Sequence, residues 1–159
     1  KAHRTQKVQD VRARKARGCD LVFENYISVE LEGELPGGGR DRITCRIAGV
    51  VPFIVMKGMA LADRMKEKDA WDIYFCITRH PGGIDGVVEE FQIYMDNGLV
   101  REGLTKISEK FASPAHVGPK HVADFEAITD SEERGAIQRD AYERVNNLLE
   151  KLGIRSLIF

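Results

Sequence analysis

The chain reads as an α+β fold, with a small sheet first and helices from there to the C-terminus. Three observations predict it. Residues 26 to 48 alternate apolar and polar side chains with period two around a glycine cluster. From Pro52 onward the apolar spacing changes to that of a helix. Glycine and proline pairs then fall between the periodic stretches rather than inside them. At 159 residues and 43% hydrophobic, the chain can bury a real core.

Residues 1 to 17 hold Arg4, Lys7, Arg12, Arg14, Lys15 and Arg17 against the single acid Asp10. Their weak periodicity leaves a solvated helix, an extended arm and a strand edge all open. Gly18 breaks the run, and Asp20-Leu21-Val22-Phe23 reads as a short buried strand. From Tyr26 to Glu34, Ile27, Val29 and Leu31 fall on one face and Ser28, Glu30 and Glu32 on the other, a half-buried strand. Pro36-Gly37-Gly38-Gly39 makes a turn, and Ile43, Cys45 and Ile47 alternate in a returning strand over 42 to 48.

Pro52 suits a first helical turn, and residues 53 to 64 keep helical spacing. Asp69 is an N-cap candidate for a second helix over 70 to 78, with Asp72 near its positive end. Pro81-Gly82-Gly83 ends that helix. Residues 85 to 97 and 99 to 111 read as two helices around Gly98. Ser113-Pro114 is a break, and Pro119 starts a short helix through Phe125. Thr129 and Glu132 have capping-box spacing at the head of a long helix over 131 to 152, closed by Gly153. The organisation is therefore residues 1–80, holding the sheet and the Lys57 helix, and residues 81–159, a helical region packed on it.

The formal net charge of −1 excludes a global basic field for nucleic acid and an acidic tail. The three cysteines, Cys19, Cys45 and Cys76, are isolated and lack C-x-x-C pairing, the usage of a reduced, cytoplasmic protein. No stretch is long and apolar enough to span a membrane, and no signal-peptide pattern is visible. The chain begins with Lys rather than Met, and the expectation is that residues precede it.

The run from Val51 to Tyr74 carries the chemistry. It sets Lys57 in an otherwise apolar helix start, Arg64 two turns later and then Lys68-Asp69 with Asp72 three residues on. Positions 57, 60, 61 and 64 share one helix face. Two cations on one face call for an anion, either a carboxylate or a phosphate. Gly58 and Ala60 allow close approach of a neighbouring backbone or a ligand. A purely structural hairpin, with Asp69 as cap, Arg64 paired to Asp72 and Lys57 reaching water, accounts for the same residues.

This run resembles the third motif of the AbiEii-type nucleotidyltransferase family, the abortive-infection toxins and their minimal nucleotidyltransferase relatives. The shared pattern is Lys57, Arg64, Lys68-Asp69, Asp72 and Ile73, over residues 51 to 75. Phe111-Ala112-Ser113 and Val117-Gly118-Pro119 ahead of a long helix are similar, with less specificity. The resemblance implies a partial polymerase-β-like mixed sheet followed by a helical part. It also implies transfer of a nucleotide from a nucleoside triphosphate to a nucleic-acid (RNA) or protein hydroxyl, with Mg2+. Toxin activity in a toxin–antitoxin pair, and hence an antitoxin partner, belongs to the same implication. Carried over, Lys57 contacts phosphates, Asp72 orients Lys57 or the metal site, and Arg64 supports the same anionic region. Asp69 stays a cap.

The family opens with a Gly-Gly-Ser/Thr turn and an Asp-x-Asp metal pair. This chain has no Asp-x-Asp, and Gly37-Gly38-Gly39-Arg40 lacks the Ser or Thr and the following acids. The expectation is that these elements lie upstream and that the chain by itself is inactive. Asp20, heading its strand, is the candidate for a third metal carboxylate. Whether the chain is an enzyme therefore depends on that upstream motif. The alternative is a degenerate relative that binds a nucleotide or a protein and performs no chemistry. The basic arm could grip a phosphate backbone. His116 and His121 flank Gly118-Pro119 without an accompanying acid or thiol cluster, and Trp71 and Tyr74 read as core.

Overall fold

The structure, a computed structural model, describes residues 17–154 and, as backbone, two strands before them. Those strands, β1 (Thr5–Val8) and β2 (Val11–Arg14), pair antiparallel. The basic side chains Arg4, Lys7, Arg12, Arg14 and Lys15 lie outside the described residues. The remaining order is α1 (Leu21–Glu24), β3 (Tyr26–Glu34), β4 (Arg40–Ala48), α2 (Val50–Arg64), α3 (Glu67–Arg79), α4 (Gly83–Gln92), α5 (Gly98–Lys110), α6 (Val117–Phe125) and α7 (Ser131–Lys151). The fold is α+β and mostly helical, and among the described residues the sheet component is two separate antiparallel ribbons.

The strand expected at Asp20 to Phe23 is instead the single helical turn α1, with Phe23 81% exposed. Its backbone closes locally, Leu21, Val22 and Phe23 N–H donating to Gly18, Cys19 and Asp20 carbonyls. Among the described residues no neighbouring strand offers a ladder to this segment, so the turn satisfies its donors.

The β3–β4 hairpin has the expected register. Ile27, Val29 and Leu31 face Ile47, Cys45 and Ile43 on one side, and Glu32 and Glu34 face Arg42 and Arg40 on the other. Gly37, Gly38 and Gly39 all take positive φ in the connection, which side-chain-bearing residues rarely adopt. The glycine cluster is thus a hairpin turn. The strands were expected to be half-buried, yet Ile27, Leu31, Ile43 and Ile47 are 54%, 51%, 52% and 47% exposed. The period-two pattern reports which residues share a face and is silent on whether a second layer covers it.

The helical body holds the core. Gly49 caps α2 and donates its N–H to the Asn25 carbonyl, tying the helix to the hairpin base. Pro52 sits in the first turn, where its missing N–H has no helical partner to lose. α2 crosses α5 closely. A Cβ on Gly58 would meet the Gly103 carbonyl and Ile107 at 2.7 Å, and one on Gly103 would meet Val55 at 2.9 Å. Gly58 therefore serves the approach of a neighbouring backbone. Ile54, Leu61, Ile73, Phe91, Leu104, Phe111 and Leu148 are fully buried in one continuous cluster. Each buried side chain of this size contributes roughly 1.5–3 kcal/mol.

Two caps differ from expectation. α7 is capped by Asp130, whose carboxylate accepts from Glu132 and Glu133 N–H, in place of Thr129. Aspartate is as good a cap as threonine and stands one residue closer. At its other end Gly153, at φ 70°, donates to the Glu150 carbonyl while Ile154 donates to Leu149, a complete Schellman closure. α3 begins at Glu67 with Lys66 as its N-cap residue, so Asp69 lies inside the first turn rather than capping it.

Candidate functional site

Met65 ends α2 in the left-handed region (φ 47°), and only Met65 and Lys66 separate α2 from α3. So short a connection folds α3 back on α2. It brings the Lys57–Arg64 face of one helix against the Asp69–Asp72 face of the other.

Asp69 is the hub. Its carboxylate is 1% exposed and accepts both Arg64 Nε and Arg64 Nη2 at 2.7 Å, one on each oxygen. Lys57 Nζ donates to Asp69 Oδ1 at 3.2 Å. The same ammonium lies 2.5 Å from Asp72 Oδ2 but off the line of a hydrogen bond, while Lys68 Nζ donates to Asp72 Oδ1 at 2.6 Å. The Lys57 ammonium also stands 5.5 Å from the Phe53 ring centroid. Three cations surround two carboxylates, so the cluster keeps one positive charge in excess.

The purely structural hairpin paired Arg64 with Asp72, and in the structure Arg64 binds Asp69 instead. Asp69 follows Arg64 by five positions across the turn, and the guanidinium fork matches a carboxylate's two oxygens. Asp69 was expected to be a cap, and it is the buried centre of the ion cluster. Lys68 was assigned no role, although its i,i+4 spacing to Asp72 was visible. Lys57, Arg64 and Asp72 do come together, as the run predicted.

Burial alone would push the Asp69 carboxyl up, but the Arg64 and Lys57 hydrogen bonds outweigh it and hold it below its ordinary 3.8. Burial would likewise lower the Lys57 ammonium, but the Asp72 and Asp69 carboxylates beside it hold it above its ordinary 10.5. A depressed carboxylate stabilises the fold above its unfolded pKa, and that contribution is lost as pH falls through the folded value. A raised ammonium stabilises below its unfolded pKa and loses this as pH rises through its folded value. The melting-temperature difference between the protein and Asp69→Asn should therefore stay flat from about pH 5 to pH 9 and shrink below about pH 4. A difference that collapses near neutral pH would contradict the cluster.

Asp20 does not join this group. It is exposed at the start of α1, and among the described residues no three His, Cys, Asp or Glu side chains are placed to hold a metal ion. His116 Nδ1 bonds the Lys110 carbonyl, so it is occupied in chain packing. Tyr74 donates to Asp140 at 2.6 Å, and burial together with that carboxylate pushes its hydroxyl up to about 12. Trp71 is half-buried, stacked on Phe75 at 4.8 Å and tilted against Phe125 at 4.9 Å. The described helices include none long and apolar enough to cross a membrane. No protein-family model, curated protein or solved structure matches the chain.

Proposed function

We propose that this chain carries the phosphate-binding half of a nucleotidyltransferase-like site. The observation that carries the reading is Lys57, a partly buried ammonium with three donors facing two carboxylates in a cluster of net positive charge. The N–H groups not bonded to Asp69 and the excess charge suit a phosphate. Asp72 orients Lys57, and Arg64 supports the same region through Asp69. Fixed cations at a triphosphate stabilise charge that builds up during phosphoryl or nucleotidyl transfer. The resemblance to the AbiEii-type toxins supplies the wider reading. The intact protein transfers a nucleotide from a triphosphate to an RNA or protein hydroxyl in the cytoplasm, with an antitoxin as partner.

The described residues do not fit a magnesium site. Asp20 stands alone, and the buried pair Asp69 and Asp72 is already neutralised by three side-chain cations. The metal carboxylates of such an enzyme would come from elsewhere. Purified as these 159 residues, the chain should show no magnesium-dependent transfer of labelled nucleotide to RNA or protein. Transfer by this chain would overturn the half-site reading.

The same saturation of Asp69 and Asp72 favours a second reading, a module that binds nucleotide or protein without chemistry. Gene sequence upstream of Lys1 separates the two. A Gly-Gly-Ser/Thr turn followed by Asp-x-Asp supports the enzyme, and a start codon immediately before Lys1 supports the binding module.

A further inference from the structure

Beside the ion cluster, the α2–α3 turn and the end of α6 enclose an open hollow of about 410 Å³ lined by Met65, Lys66, Glu67, Lys68 and Phe125. It is shallow and open to solvent on one side, so a ligand there would lie on the surface with one face against the protein. Its composition is mixed in a specific way. Met65 and Phe125 are large apolar side chains left 51% and 39% exposed, and two lysines and one glutamate complete the lining. Phe125 is backed by Trp71, which is itself stacked on Phe75 and donates its indole N–H to Glu126 at 3.0 Å. The ring is therefore held by packing behind it, while part of its surface remains open.

Lys68 connects this hollow to the ion cluster. Its ammonium is 5.6 Å from the Phe125 centroid and 5.6 Å from Trp71, and it bonds one oxygen of Asp72. The other oxygen of Asp72 contacts Lys57. Phe125, Lys68, Asp72 and Lys57 thus form a continuous line from an aromatic surface to the excess positive charge. A ligand that matches both ends has a flat apolar ring at one end and a chain of negative charge at the other.

We propose that the Met65–Phe125 hollow is the base subsite of a nucleoside triphosphate whose phosphates run past Lys68 toward Lys57. This rests on the phosphate-binding reading above and adds where the base lies. Aromatic and thioether surfaces take any base by stacking, with little discrimination among them. Lys66 and Lys68 outnumber Glu67 and keep the hollow attractive to the phosphate chain.

Trp71 is the chain's single tryptophan, so its emission reports on this site. Titration calorimetry with Trp71 fluorescence, using ATP and inorganic tripolyphosphate as separate probes, tests the assignment. ATP should quench Trp71 and bind about tenfold more tightly than tripolyphosphate. Phe125→Leu should weaken ATP about tenfold while changing tripolyphosphate less than about twofold, and Phe125→Tyr should retain ATP binding. If Phe125→Leu melts early, Met65→Ala at the opposite wall carries the same expectation. Equal affinity for the two probes, or an ATP affinity indifferent to Phe125 and Met65, would overturn the base subsite and leave the phosphate site standing. Failure of the unmodified chain to bind either probe would overturn both.

Discussion

Replacing Asp69 with alanine is expected to cost about 3 kcal/mol of stability, a fall in melting temperature of roughly 6–12 °C for a chain of this size. Asp69 is 1% exposed and accepts three charged donors across the α2–α3 turn. Its loss deprives Lys57 of one of its two carboxylates, and Arg64 of its fork partner. Arg64 is half exposed and can turn to water, which keeps the cost at the low end for a broken buried ion group. Asp69→Asn should cost less, because the amide keeps the shape and one acceptor oxygen. Urea or thermal denaturation measures both, and a cost for Asp69→Ala below about 1 kcal/mol would show that the hub is dispensable.

The split between legible and hidden features follows from what each pattern encodes. The hairpin was readable almost to the residue, because alternation fixes both strands and a run of glycines fixes the turn between them. Its exposed apolar face was not readable, since period two identifies a face and not its cover. α1 was misread because Leu21, Val22 and Phe23 suit a buried strand, and four residues with no strand paired to them among the described residues close into a turn instead. The Lys57, Arg64 and Asp72 assembly was legible from helix spacing plus a short turn. The exchange of partners between Asp69 and Asp72 was not. A boundary shift from residue 70 to residue 67 moves Asp69 from the cap into the first turn, and boundaries are the least certain part of a propensity reading. The hollow at Phe125 joins segments about sixty residues apart in the chain, a juxtaposition that local pattern does not encode.

The second large effect separates a structural lysine from a phosphate-binding one. Lys57→Met keeps the aliphatic stem that packs in α2 and removes only the ammonium. Asp69 retains Arg64 and Asp72 retains Lys68 on Oδ1, while the buried Asp72 Oδ2 loses its cation contact. The fold should therefore lose about 1–2 kcal/mol, less than Asp69→Ala loses, because each carboxylate keeps one cation. A phosphate that bonds Lys57 forfeits a charge-assisted contact worth about 1.5–3 kcal/mol, or roughly ten- to a hundredfold in affinity. The most direct measurement is a calorimetric titration of the chain and of Lys57→Met with tripolyphosphate at low salt, beside a thermal melt of each. Lys57→Met should bind at least about tenfold more weakly while its melting temperature falls by less than that of Asp69→Ala. Equal affinity in the two proteins, or a Lys57→Met variant that melts as early as Asp69→Ala, would contradict this.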